Sequence, residues 1–175
     1  MSFKQLFDPA SFTYTYLIAD DATHEAVLID PVLEQVERDV RLLRERGLTL
    51  RYTLETHVHA DHITGALAIK QATGAQTVVA QDCNAEGYDR YLVDGNVILF
   101  GQEEIVVIAT PGHTPGSLSM LVRQPGATPP RERRGEKNLP SFSRRGGMRS
   151  MTGWLRAPLL ACRCEMRASI SSLQE

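Results

Sequence analysis

Cysteine is scarce in this sequence. The chain has three, Cys83, Cys162 and Cys164, with no CxxC pair and no even-numbered framework. That excludes a disulfide scaffold and favours a reducing compartment. A charge excess is also missing: the formal net charge of −2 gives no electrostatic case for nucleic acid or an anionic membrane as partner. No apolar run is long enough to span a bilayer, and the first residues, MSFKQLFDPASF, lack a basic segment followed by an apolar one. The expectation is a cytoplasmic protein of one domain, long enough at 175 residues to bury a core.

Other absences are local. Residues 124–175 contain no valine, no aspartate and no histidine, against 12, 9 and 5 in residues 1–123. The first part carries 9 basic and 17 acidic side chains, the second 10 and 4. The second part opens with QPGATPPRERRGEKNLPSFSRRGG, a mixture that buries too little apolar surface to offset its ordering entropy. The division predicts an ordered part, 1–123, and a basic tail, 124–175, that is disordered or foreign to the domain. The RERR and SRRGG clusters read as solvated, and the lone CxC of Cys162 and Cys164 as incidental.

Within 1–123 the pattern is alternating strand and helix. YTYLIA (14–19) and EAVLID (25–30) read as a hairpin around DDATH. Asp30 and Pro31 then read as the cap and first residue of a helix over 31–46. Val32, Leu33, Val36, Val40 and Leu43 recur along it at three- and four-residue spacings, and Gly47 ends it. A strand over 48–56 leads into LETHVHADHITG. A helix closing at Gly74 follows, then strands at 76–81, VILFG and 104–110, the last running into TPGHTPGS.

Three histidines and an aspartate within six positions, His57, His59, Asp61 and His62, have the chemistry of a zinc or iron site. On a strand His57 and His59 would share one face, and the following loop could turn Asp61 and His62 inward. The competing role for Asp61 is a helix cap. In TPGHTPGS the flanking Pro and Gly residues predict a tight turn that holds His113 in a defined direction, supplying a distant ligand from a second strand end.

THVHADH followed by TPGHTPGS resembles the metallo-β-lactamase superfamily. The longer stretch from LFDPASF to HITGA is similar to its persulfide dioxygenase branch, the likeness covering residues 3–123. The resemblance implies an α/β fold, the αββα sandwich of two mixed sheets, with 1–123 supplying about half of it. It implies oxidation of glutathione persulfide by dioxygen, to sulfite and glutathione, at one ferrous iron. His57 would be the first iron ligand and His113 the second. His59, Asp61 and His62, which bind metal in the dinuclear hydrolase branches, would line the pocket or hold the ligands by hydrogen bonds. A zinc-dependent thioester hydrolase of the glyoxalase II kind is the alternative, and a truncated domain without catalysis a third. A homo-oligomer is compatible with each.

One departure stands out. The family's carboxylate ligand comes from a Gly-Asp step after the strand that follows the PGH loop, and a Gly-Cys-Gly-Arg-x-Asp-Phe segment comes next. Here that strand is SLSMLV, no aspartate occurs after Asp94, and the glycine-rich segment is missing. A divergent C-terminus or a reading-frame shift near residues 123–126 would account for this, and the abrupt change in composition favours the shift.

Overall fold

A computed structural model describes residues 1–126 and the backbone of residues 159–160. Strands β1 (Ser2–Asp8), β2 (Thr13–Ala19) and β3 (Glu25–Ile29) form an antiparallel meander. The β2–β3 turn is tied by Asp20, whose carboxylate accepts the Ala22 amide and the Thr23 hydroxyl. From β3 onward the connections change character. Helix α1 (Val36–Glu45) leads to β4 (Thr49–Leu54), α2 (Ala66–Thr73) to β5 (Gln76–Ala80), and β6 (Arg90–Leu92) closes the sheet, the last four strands running parallel. The sheet order is β1-β2-β3-β4-β5-β6.

A second, antiparallel sheet holds β7 (Val97–Phe100), β8 (Glu103–Ala109), β9 (Leu118–Arg123) and the short β10 (Leu159–Leu160), in the order β10-β9-β8-β7. Because side chains alternate along a strand, the first sheet feeds two cores. Ile18, Val27, Ile29, Leu54 and Val78 face the second sheet and pack on Phe100, Ile105, Val107 and Met120. Leu17, Ala26, Leu28 and Leu50 face outward and pack on Val40, Leu43 and Ile69 of the two helices. This is the helix–sheet–sheet stack of the expected αββα sandwich. The expected division at 123 places the tail outside the described residues, apart from residues 124–126 and the β10 backbone paired with β9.

Four local expectations are corrected. The helix after β3 begins at Val36 rather than residue 31, preceded by a single 3-10 turn, Leu33–Gln35. Asp30 does not cap it: the residue has a φ of 51°, and its carboxylate is drawn instead to the histidine loop. The strand before the histidines stops at Leu54, so His57 and His59 lie on a loop and not on a strand face. Asp61 caps nothing, because α2 starts at Ala66. The loop ends where Gly65 presses on Val32, a Cβ there lying 3.0 Å from the Val32 carbonyl oxygen. Strands β1 and β6 were not expected. β1 is an edge strand with polar Lys4 and Gln5 in its middle, and β6 has only three residues, too few for a periodicity to register.

The β1–β2 end of the inner face is uncovered among the described residues. Register pairs Phe3 with Ile18 and Phe7 with Tyr14, placing these rings on the side that faces the second sheet. Yet Phe3, Phe7 and Tyr14 are exposed and stack along the surface, with Phe12 beside Phe7. A contiguous aromatic patch next to an edge strand favours association. Expressed alone, the chain is expected to be poorly soluble and to bind an apolar dye in its soluble fraction. A sharp cooperative melt of soluble, dye-silent monomer would contradict this.

Candidate metal centre

The ends of β2, β3, β4 and β8 converge on one rim, where the carboxyl ends of parallel strands commonly build sites. Asp30, the residue after β3, is the hub. One carboxylate oxygen accepts the Thr56 amide at 2.7 Å and the other accepts the Thr56 hydroxyl at 2.7 Å. With its proton committed to Asp30, the Thr56 oxygen, 2.9 Å from His57 Nδ1, accepts the proton on that nitrogen. His57 is thereby held with Nδ1 protonated and Nε2 carrying the lone pair, a tautomer assigned from the hydrogen-bond network.

The same logic fixes His62. The Thr13 hydroxyl donates to Asp61 Oδ2 at 3.0 Å, so its oxygen accepts from His62 Nδ1 at 3.2 Å. His62 Nε2 is left as the lone-pair nitrogen, buried and without a hydrogen-bond partner. An orphaned buried imidazole nitrogen costs free energy unless something fills its acceptor site.

His59 is held differently. Its Nε2 lies 3.1 Å from Asp30 Oδ1 and 3.5 Å from Glu55 Oε2, and its Nδ1 is 3.7 Å from Asp61 Oδ1. Burial opposes the charge on this ring, but Asp30 and Glu55 outweigh it and raise its pKa to about 10. Burial and the charge of His59 push His57 the other way, down to about 4, and lower His62 as well. At neutral pH His57 and His62 are therefore neutral, as a metal ligand must be. Glu55 is fully buried. Burial, aided by Asp30, raises its pKa, and the Thr64 hydroxyl donates to it.

His113 arrives on the loop between β8 and β9. Thr110 N–H donates to Ser117 O at 2.9 Å and Thr114 N–H to the Ser117 hydroxyl at 3.0 Å, closing the turn expected from TPGHTPGS. Leu118 N–H donates to Thr56 O at 2.8 Å and ties this loop to the first. The rings form a continuous cluster, with centroids 4.0 Å apart for His57 and His59, 4.3 Å for His59 and His62, and 4.9 Å for His57 and His113. Ligand atoms of His59, Asp61 and His62 lie within 4.8 Å of one another. Neutral imidazoles beside a carboxylate, one with an orphaned nitrogen, fit a first-row transition metal such as iron or zinc.

The structure thus brings together His57, His59, Asp61, His62 and His113, and adds four residues that sequence reasoning did not select: Thr13, Asp30, Glu55 and Thr56. Asp30 carried a usable signal, a carboxylate at the end of a strand parallel and adjacent to the one that leads into the histidines. Thr13 carried none, since only the fold brings it to Asp61. Thr13→Val keeps the shape and removes both anchors. It is expected to weaken metal binding by roughly 10-fold, the low end of what loss of an outer partner costs, with the melting temperature little changed. Unaltered affinity in a metal titration would show that Asp61 and His62 do not need this hydroxyl.

Comparison with known proteins agrees with this geometry. Residues 8–126 match the model of the metallo-beta-lactamase superfamily. The chain is 45% identical over 120 residues to the mitochondrial persulfide dioxygenase ETHE1 of Bos taurus, covering 68% of this chain and 47% of that protein. It is 39% identical over 111 residues to the hydroxyacylglutathione hydrolase of Rhodospirillum rubrum, covering 62% of this chain and 43% of that protein. Among solved structures, ETHE1 from Myxococcus xanthus superposes with a TM-score of 0.67 at 49% identity, over 70% of this chain and 54% of that one. The chain spans about half the length of the curated relatives it matches. With this match over residues 8–126, the chain belongs to the metallo-beta-lactamase superfamily.

Proposed function

We propose that this chain carries the metal-binding half of a sulfur dioxygenase that oxidises glutathione persulfide with dioxygen at one ferrous iron. The observation that carries the reading is the pairing of His57 and His113 across two loops, in a chain 45% identical over the matched region to a persulfide dioxygenase. His57 and His113 would hold the iron, with His59, Asp61 and His62 lining the space beside it. Bound ferrous iron would supply electron density to dioxygen and a coordination position for a substrate sulfur. The chain's own residues set the frame. Asp30 and Thr56 orient His57, Thr13 orients Asp61 and His62, and the buried Glu55 and Asp30 keep His59 charged and fixed. A cationic His59 beside the cluster favours an anionic sulfur there.

The family's aspartate ligand has no counterpart here. No aspartate follows Asp94, and the stretch after β9 where it should occur lies outside the described residues. We attribute this to a reading-frame shift near residues 123–126, which the end of the family match at 126 supports. Another frame of the parent DNA around codons 120–130 is expected to encode a Gly-Asp step followed by a glycine-rich Arg-x-Asp-Phe segment. Its absence from both alternative frames would overturn the explanation.

A zinc-dependent thioester hydrolase is the second reading, favoured by the close grouping of His59, Asp61 and His62 and by the likeness to a hydroxyacylglutathione hydrolase. Metal analysis after anaerobic purification, with oxygen uptake on glutathione persulfide and hydrolysis of lactoylglutathione measured on the same sample, separates the two. Iron with persulfide-dependent oxygen uptake supports the dioxygenase, and zinc with hydrolysis supports the alternative. Neither activity would mark a metal-binding domain without turnover.

A further inference from the structure

The loop of His113 meets a third element. Strand β5 runs into a 3-10 turn, Gln81–Cys83, and Cys83 packs against the inner core. Its thiol donates to the Gly116 carbonyl at 3.5 Å, in the loop of His113. Gly116 lies flush on this turn: a Cβ there would fall 2.5 Å from the sulfur and 2.6 Å from the Cys83 nitrogen, closer than any side chain tolerates.

We propose that Cys83 is a positioning residue for the metal centre, holding the loop of His113 against the end of β5 through Gly116. The inference rests on the reading that His57 and His113 hold the metal. Its physical ground is that one tie between the loop of His113 and the first sheet permits the loop to rock, whereas two ties fix its angle. Leu118 N–H to Thr56 O is the first tie, and Cys83 supplies the second. Ligand geometry is sensitive at this scale, because a metal site needs its donors held by their own supporting contacts.

The test uses the full chain under anaerobic conditions, with ferrous iron for affinity and cobalt(II) as a spectroscopic probe. Cys83→Ala, which removes the tie, and Gly116→Ala, which lifts the loop of His113 off the Cys83 turn, are each expected to weaken iron binding by about 10-fold and to shift the cobalt bands. Cys83→Ser can still donate and accept, and should restore most of both. Hydrogen exchange over residues 110–118 in the metal-free chain should quicken in Cys83→Ala and recover in Cys83→Ser. Parent-like binding and exchange in Cys83→Ala would overturn the proposal. So would a Cys83→Ser variant that behaves like Cys83→Ala, since only packing would then be at stake. A parent chain that binds no metal would sink the functional reading instead, and the exchange comparison would still decide the clasp.

Discussion

His57→Ala is expected to abolish stoichiometric iron binding, raising the dissociation constant at least about 100-fold, the upper end of what loss of a mere outer partner costs. The imidazole is buried, its Nδ1 proton is committed to Thr56, and its pKa near 4 keeps it neutral across the working range. Removal therefore deletes a ligand that is already oriented and deprotonated. His59 is pinned by Asp30 and Glu55, and His62 by Thr13. An anaerobic iron titration followed by metal analysis checks the result. Retained stoichiometric binding would mean that the metal sits elsewhere in the cluster.

Asp30→Asn has the second largest expected effect, although Asp30 is not proposed to touch the metal. An asparagine keeps the size but can offer only one oxygen to the two Thr56 donors, and the orientation of His57 loosens. Metal affinity is expected to fall by about 10- to 100-fold. The same variant should change the pH dependence of stability in the metal-free chain. His59 is raised from 6.5 to about 10, so its contribution to folding is fully present below pH 6.5 and is lost as pH climbs toward 10. Without the Asp30 charge that loss should be smaller, giving a flatter melting profile between those limits. A parent-like profile and affinity would remove Asp30 from the account.

The sandwich was legible because its strands are apolar and its helix ends carry glycines in left-handed conformations, Gly47 and Gly74. β1 was hidden by polar residues on an edge, and β6 by its brevity. In the site, sequence spacing sufficed to nominate His57, His59, Asp61, His62 and His113, because metal-capable side chains are rare and clustered. The supporting residues were harder to see. Thr13 and Asp61 are 48 positions apart and meet only through the β2 edge. Asp30 was misread because Asp-Pro before an apolar periodicity has the same appearance as a helix start. The left-handed backbone at Asp30, which turns its carboxylate toward Thr56, is a consequence of tertiary demand that no local propensity encodes.

The central claim is that His57 and His113 hold one metal ion between two loops. Its most direct test is the metal content of the full chain after anaerobic reconstitution with ferrous iron, measured beside His57→Ala and His113→Ala. The account predicts one iron per chain in the parent and loss of it in each variant. Iron retained in both variants, or two zinc ions per chain that survive either substitution, would contradict it.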